Sequence, residues 1–179
     1  MGKTMKLIAF STTAAALCTV LLYKLTSTGI FLTLAITFGT IAYHFCIRLI
    51  IGQIYNAVMK NKADYTKKWF QTGKFEQSLY KRLNVKKWKK NMPTYDSSLF
   101  DASVHSWQDI AQAMCQAELV HETIIPLSFL PIIAAIWFGA LPVFVITSVL
   151  GALYDLLFVI MQRYNRPRII KFIKRNNEK

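Results

Sequence analysis

The sequence predicts an all-α integral membrane protein: four transmembrane helices in two hairpins, with a basic cytoplasmic cap that contains an amphipathic helix. Three observations lead there. The 179 residues are 54% hydrophobic with a mean hydropathy of +0.31, yet they carry a net charge of +13. A soluble domain rarely combines these, whereas a small multi-pass protein with basic loops does. Charge is absent from Leu7 to Tyr23, from Leu25 to Ile47 and from Thr123 to Tyr154, and a spanning helix needs roughly 20 residues. Finally, Lys and Arg gather on one set of connecting segments, the pattern that orients membrane helices.

Taken in order, Met1 to Lys6 followed by an apolar run imitates a secretory signal peptide, but a second apolar run follows almost at once. The expectation is a retained first span over about 7–24 and a second over about 27–50. Gly139-Ala140-Leu141-Pro142 interrupts the third run, which is too long for one crossing. It divides into spans over about 118–138 and 141–162, the latter carrying the single charge Asp155. The segment about 52–117 is the cap, and 1–179 reads as one membrane domain.

From Gly52 to Ala117 there are eleven Lys or Arg against five Asp or Glu, and seven more cations follow Gln162. Only Lys24 occupies the first short turn, and the second has none. Both termini and the cap are therefore expected in the cytoplasm, with the protein multi-pass in the cell membrane. Within the cap, Trp69, Phe70, Phe75, Tyr80, Leu83, Val85 and Trp88 are threaded among lysines, which suits a surface in the lipid headgroup region. Nucleic acid is not an expected partner, since the long uncharged runs direct the basic excess to anionic lipid or a phosphorylated ligand. From Ser103 to Gln116, Val104, Trp107, Ala111 and Met114 recur at helical spacing, with Asp101 or Ser103 as candidate cap. Continued, that stripe reaches Glu118 and His121 and turns them inward.

Cys18, Cys46 and Cys115 suggest neither a disulfide framework nor a zinc site. Chemistry concentrates instead at Ala117-Glu118-Leu119-Val120-His121-Glu122, where a helix puts Glu118, His121 and Glu122 on one face at the entrance of an apolar run. Counting from the second hairpin turn at residue 140, Glu118 lies 22 positions before and Gln162 lies 22 after. Counting from the first turn near residue 26, His44 and Arg48 are 18 and 22 on. His44, Arg48, Glu118, His121, Glu122, Gln162 and Arg163 are thus expected in one layer. Asp155 would lie about 12 Å deeper than Arg163 at 1.5 Å per residue. Buried charges pair, so a salt-bridge belt is the structural alternative to a catalytic layer.

Glu118-x-x-His121 is half of a carboxylate-bridged dinuclear motif, but no second half exists, and no metal is expected. The other use of the pair is catalytic: a carboxylate orients a histidine that takes a proton from a hydroxyl. His105-x-x-x-Asp109 also has acyltransferase-like spacing, on a surface where chance produces such pairs. Two basic stretches remain, Val85-Lys86-Lys87-Trp88-Lys89-Lys90 and Gln162-Arg163-Tyr164-Asn165-Arg166-Pro167-Arg168. Guanidinium forks match phosphate and carboxylate oxygens, although inside-facing anchoring would also account for the charges.

These stretches, with Ala117-Glu118-Leu119-Val120-His121 between them, resemble the glycosyl-diaponeurosporenoate acyltransferases, small bacterial membrane enzymes. The likeness runs from about Phe70 to the C-terminus, and the arginine heptad is its most specific part. It implies transfer of a fatty acyl group to a sugar hydroxyl of a glycosylated carotenoid, the last step in making staphyloxanthin. On that basis His121 is the expected general base and Glu118 its orienting group. Arg163, Arg166 and Arg168 with Lys86, Lys87 and Trp88 would hold the phosphates of an acyl thioester donor. Gln162, Asn165, Arg48, His44, Glu122 and Asp155 complete the expected binding set. The expected partners are membrane lipids, the donor (acyl-CoA or acyl carrier protein) and the carrier protein itself, with no further cofactor. A non-catalytic lipid-binding or adaptor protein, or an acyltransferase for a phospholipid or other glycolipid, is the rival.

Overall fold

The computed structural model describes residues 2–96 and 98–177, and every regular element among them is helical. Seven α-helices follow in chain order: α1 Gly2–Thr26, α2 Gly29–Met59, α3 Lys74–Arg82, α4 Val85–Trp88, α5 Trp107–Leu127, α6 Ala135–Phe138 and α7 Leu141–Asn177. Four stretches are long and apolar enough to cross a membrane: Gly2–Thr26, Gly29–Met59, Trp107–Phe138 and Leu141–Asn176. The chain divides into two compact units. One takes residues up to Ile51 with Ile124–Tyr154, and the other takes Gly52–Thr123 with the residues from Asp155 onward.

In the first unit α1 and α2 are joined by two residues, with Ser27 at φ 52°. Thr13 Oγ1 meets Cys46 Sγ at 4.0 Å across the pair. Leu130–Ala134, begun by Pro131, is a 3₁₀ turn between α5 and α6. Because Pro131 has no N–H, the carbonyl four residues earlier, at Leu127, loses its helical donor. Tyr43 supplies one instead, its hydroxyl donating to Leu127 O at 2.7 Å. Gly139 and Ala140 then break the chain with φ of 64° and 51°. On α7, Gly151 lies under the His44 ring: a Cβ there would be 3.0 Å from two ring atoms. Arg48 donates to the Gly151 carbonyl at 3.1 Å and lies 5.7 Å from the Tyr154 ring centroid.

The expected amphipathic helix and the start of the third span are one element, α5, which ends at Leu127. It starts at Trp107, later than Asp101 or Ser103 would have capped it. Asp101 Oδ1 instead accepts from the Ser103 amide and hydroxyl at 2.8 and 2.7 Å, making a turn. Ser106 and Asp109 form the cap, with the Asp109 amide donating to Ser106 Oγ at 3.2 Å and the Ser106 amide to Asp109 Oδ2 at 3.3 Å. Asp109 is thereby a capping residue. Ala111, Met114, Cys115 and Glu118 carry the buried stripe of α5, and Phe70 and Ala63 pack on Cys115. Trp107 stacks on Phe172 of α7, with centroids 5.1 Å apart.

Pro167 sits inside α7 without ending it. The missing N–H would have bonded the carbonyl of Arg163, and the Thr72 hydroxyl donates to that carbonyl at 3.2 Å. A buried acceptor keeps a partner, so the helix continues.

Candidate functional site

The site belongs to the second unit and is built where α7 faces α5. Asp155, Phe158, Val159, Gln162 and Arg166 recur at intervals of three and four and are all buried, as one stripe of a helix requires. Opposite them α5 presents Glu118 and His121, one turn apart.

His121 Nδ1 lies 2.8 Å from Asp155 Oδ1, and the imidazole stacks on Phe158 with centroids 4.5 Å apart and planes 7° from parallel. The Asp155 side chain is fully buried and that of His121 is 20% exposed. A carboxylate fixed on Nδ1 places the proton there and leaves the lone pair on Nε2. Glu118 was the expected orienting group; the carboxylate in contact with His121 is that of Asp155. The reason is charge: Glu118 is fully buried and meets two guanidiniums, Arg163 Nη1 at 2.6 Å and Arg166. Two cations outcompete one imidazole for a carboxylate.

Those arginines are committed internally. Arg163 binds Glu76 in bidentate fashion, Nε to Oε1 at 2.7 Å and Nη2 to Oε2 at 3.2 Å. It also donates to the carbonyls of Trp69 at 3.0 Å and Gln71 at 3.4 Å. Arg166 is fully buried, donates to Phe70 O at 2.7 Å and lies 5.0 Å from the Phe70 ring centroid. The sequence led us to expect Arg163 and Arg166 to hold donor phosphate; both are engaged by carboxylates here, so an incoming anion would have to displace Glu118 or Glu76. Burial pushes the Glu76 carboxyl up, but hydrogen bonds from Arg163, the Gly73 amide and Tyr80, with the charge of Arg163, outweigh it and hold it below its ordinary value.

Glu76 and Thr72 were missed in the sequence, while Phe70 and Tyr80, expected on a headgroup-facing surface, are buried here. One signal was present: Glu76 is the sole carboxylate between Asp64 and Asp96, and buried arginines need carboxylates.

Of the remaining basic residues in these two stretches, all but Lys89 are exposed. Lys89 Nζ bonds Asn165 Oδ1 and lies 4.9 Å from the Tyr164 ring centroid, while Arg168 lies 5.1 Å from the same centroid and donates to the Tyr164 hydroxyl at 3.1 Å. Burial lowers the Lys89 pKa, and the charges of Arg168, Lys86 and Lys90 lower it further. Lys86, Lys87, Lys90 and Arg168 are exposed, and Trp88 is tied by its indole N–H to Leu83 O at 3.1 Å. Gln162 is buried in α7. Glu122 Oε2 accepts from the Trp69 indole at 2.9 Å. His44 and Arg48 belong to the first unit, in the arrangement around Gly151 described above.

Within the second unit is a groove of about 520 Å³ lined by Trp69, Glu76, Leu79, Tyr80, Leu83, Glu122, Leu156, Val159, Ile160 and Arg163. Apolar helices of membrane-crossing length, a buried arginine–carboxylate network and an aspartate-held histidine define a polytopic helical membrane protein with a polar centre. No curated protein and no solved structure matches the chain. A family model does, over residues 66–175, and the chain belongs to that family: glycosyl-4,4'-diaponeurosporenoate acyltransferase. The matched stretch contains every member of the network, from Trp69 to Arg168.

Proposed function

We propose that the protein transfers a fatty acyl group from a thioester donor to a hydroxyl of a glycosylated lipid of the carotenoid-glycoside type, at the cytoplasmic leaflet of the cell membrane. The observation that carries the reading is the His121–Asp155 contact at 2.8 Å with the imidazole still partly exposed. His121 is the general base and Asp155 its positioning residue. Nε2 takes the proton as the acceptor oxygen attacks the thioester carbonyl. The carbon–sulfur bond then breaks, and the imidazolium returns the proton to the departing thiolate. Exposed Lys86, Lys87, Lys90 and Arg168 supply positive charge for the phosphates of acyl-CoA or for an acidic carrier protein. Family membership supports the reaction class, and the apolar groove supports a lipid substrate.

A positioned base contributes typically 10²–10⁴-fold in rate. His121→Ala is therefore expected to abolish acyl transfer, and Asp155→Asn to reduce kcat by about 10²-fold or more, measured by mass spectrometry of lipid products from purified protein. Full activity in His121→Ala would refute the base assignment. Acylated phospholipid or another glycolipid, in place of a carotenoid glycoside, would change the acceptor and keep the mechanism. Absence of any acylated product from the wild type would leave a lipid-binding protein.

A further inference from the structure

Of the seven cap residues that the sequence threads among lysines, Phe70, Tyr80 and Val85 are buried. Exposed apolar surface gathers instead along α3. Phe75 is 80% exposed, and Leu79 and Leu83 are exposed as well, Leu83 being the helical C-cap. Spaced four apart, the three fall within an arc of about 80°, since a helix turns about 100° per residue. Glu76 and Tyr80 take the next arc and face inward, Glu76 on Arg163 and the Tyr80 hydroxyl on Glu76. Lys74, Lys81 and Arg82 lie on the other side of the stripe and are exposed. The sole acid of α3 is Glu76, which Arg163 engages. The helix thus has one face on the protein, one apolar and open, and one cationic.

The neighbourhood of the stripe indicates what covers it. Leu79 and Leu83 share the groove with Leu156, Val159 and Ile160 of α7, a helix long and apolar enough to cross a membrane. Leu156 is itself 40% exposed. It lies seven residues before Arg163, about 10 Å along the axis at 1.5 Å per residue. Interfacial amphipathic helices sink their apolar face about 5–10 Å into the boundary between headgroups and acyl chains. The stripe of α3 therefore continues the exposed apolar side of α7 at the depth where such a helix settles. We infer that α3 is seated in the bilayer surface, with Phe75, Leu79 and Leu83 among acyl chains and Lys74, Lys81 and Arg82 on the phosphates of anionic lipids. Long basic side chains reach from an apolar level to the phosphates, and no unengaged acid on α3 offsets their attraction to an anionic leaflet. Lipid then closes the open side of the groove. It also holds α3 from one side while the Glu76–Arg163 pair holds it from the other. The inference needs only the spanning helices and stands apart from the acyl-transfer reading.

The test reads depth and needs no turnover. In the full chain carrying Cys18→Ala, Cys46→Ala and Cys115→Ala, a nitroxide is attached through Phe75→Cys or through Gln77→Cys. Both positions are exposed, and Gln77 lies opposite the stripe. The protein is reconstituted in nanodiscs of phosphatidylcholine, alone or mixed with phosphatidylglycerol. Relaxation by oxygen, which concentrates in the bilayer, is compared with relaxation by a water-soluble nickel chelate. In the mixed discs the label at 75 is expected about 5–10 Å below the phosphates, and the label at 77 in water. In phosphatidylcholine alone, and in the triple variant Lys74→Gln, Lys81→Gln, Arg82→Gln, the label at 75 is expected to move toward water. If the cysteine-free chain fails to fold, quenching by brominated lipid is read from Phe75→Trp and Gln77→Trp as the difference from the parent chain, with the same order expected. Equal nickel access at 75 and 77 would put α3 in water. Protection of 75 from both reagents would put protein on the face, and equal depth with and without phosphatidylglycerol would detach the cations from lipid phosphate. Each of these overturns the inference. A chain that acylates nothing can still give the expected depths, and an active one can fail to.

Discussion

Arg166 and Glu118 have no exposed surface, so neither charge is stabilised by water. Removing one partner of such a pair leaves the other buried and uncompensated, at a cost of about 3–5 kcal/mol. Glu118→Gln and Arg166→Ala are expected to lower thermal stability in detergent by that order. An unchanged melting temperature with a raised donor KM in Arg166→Ala would return Arg166 to phosphate binding. Glu76 has a pH consequence. Its carboxyl is held below the ordinary 4.5 in the folded state, so its contribution is fully present above that value and is lost as pH falls through the lower folded pKa. Acid melting curves should show this loss in the wild type and lack it in Glu76→Gln. The charged residues of the site were legible because helical spacing and the expense of buried charge single them out. Their pairing was not. Counting residues from a hairpin turn gives depth along a helix axis, whereas the choice of Asp155 over Glu118 for His121 depends on rotation about that axis, at about 100° per residue.

Among the elements, α7 owes its continuity to a side chain distant in sequence. Thr72 serves the carbonyl that Pro167 leaves without a donor. Thr72→Val should cost about 1–2 kcal/mol in the wild type and close to nothing in Pro167→Ala, where the helix amide is restored. Equal losses in both backgrounds, measured by denaturant or thermal unfolding, would show that Thr72 acts elsewhere. The apolar helices could be read from sequence because length and absence of charge alone define them. The start of α5 could not be fixed so well: Asp101, Ser103 and Ser106 are all competent caps, and the choice was made when Asp101 turned back on Ser103. The 3₁₀ turn at Lys68–Phe70 carries no periodic signal, since the carbonyls of two of its three residues, Trp69 and Phe70, are held by arginines more than ninety positions away.

Over the whole molecule, the distribution of Lys and Arg predicts which side each segment faces. In a cysteine-free background, a cysteine at Ala140 should react with an impermeant maleimide added outside intact cells, and one at Ser98 should react only after permeabilisation. Labelling at 98 from outside would invert the protein. The basic excess was legible as orientation and as anion attraction, because both depend on net charge alone. The acid-lined groove was not, since Glu76 and Glu122 come from separate elements amid many more lysines.

The reach of Arg163 sets a schedule for biosynthesis. It captures the Trp69 carbonyl 94 positions earlier and the Glu118 carboxylate 45 positions earlier. At translation rates of about 5–20 residues per second, the Trp69 segment waits roughly 5–20 s for its arginine. During part of that interval Glu118 has neither guanidinium yet made. Nascent chains halted after α5 should therefore be held by insertion chaperones or degraded, and release should coincide with emergence of Arg163 and Arg166 from the ribosome.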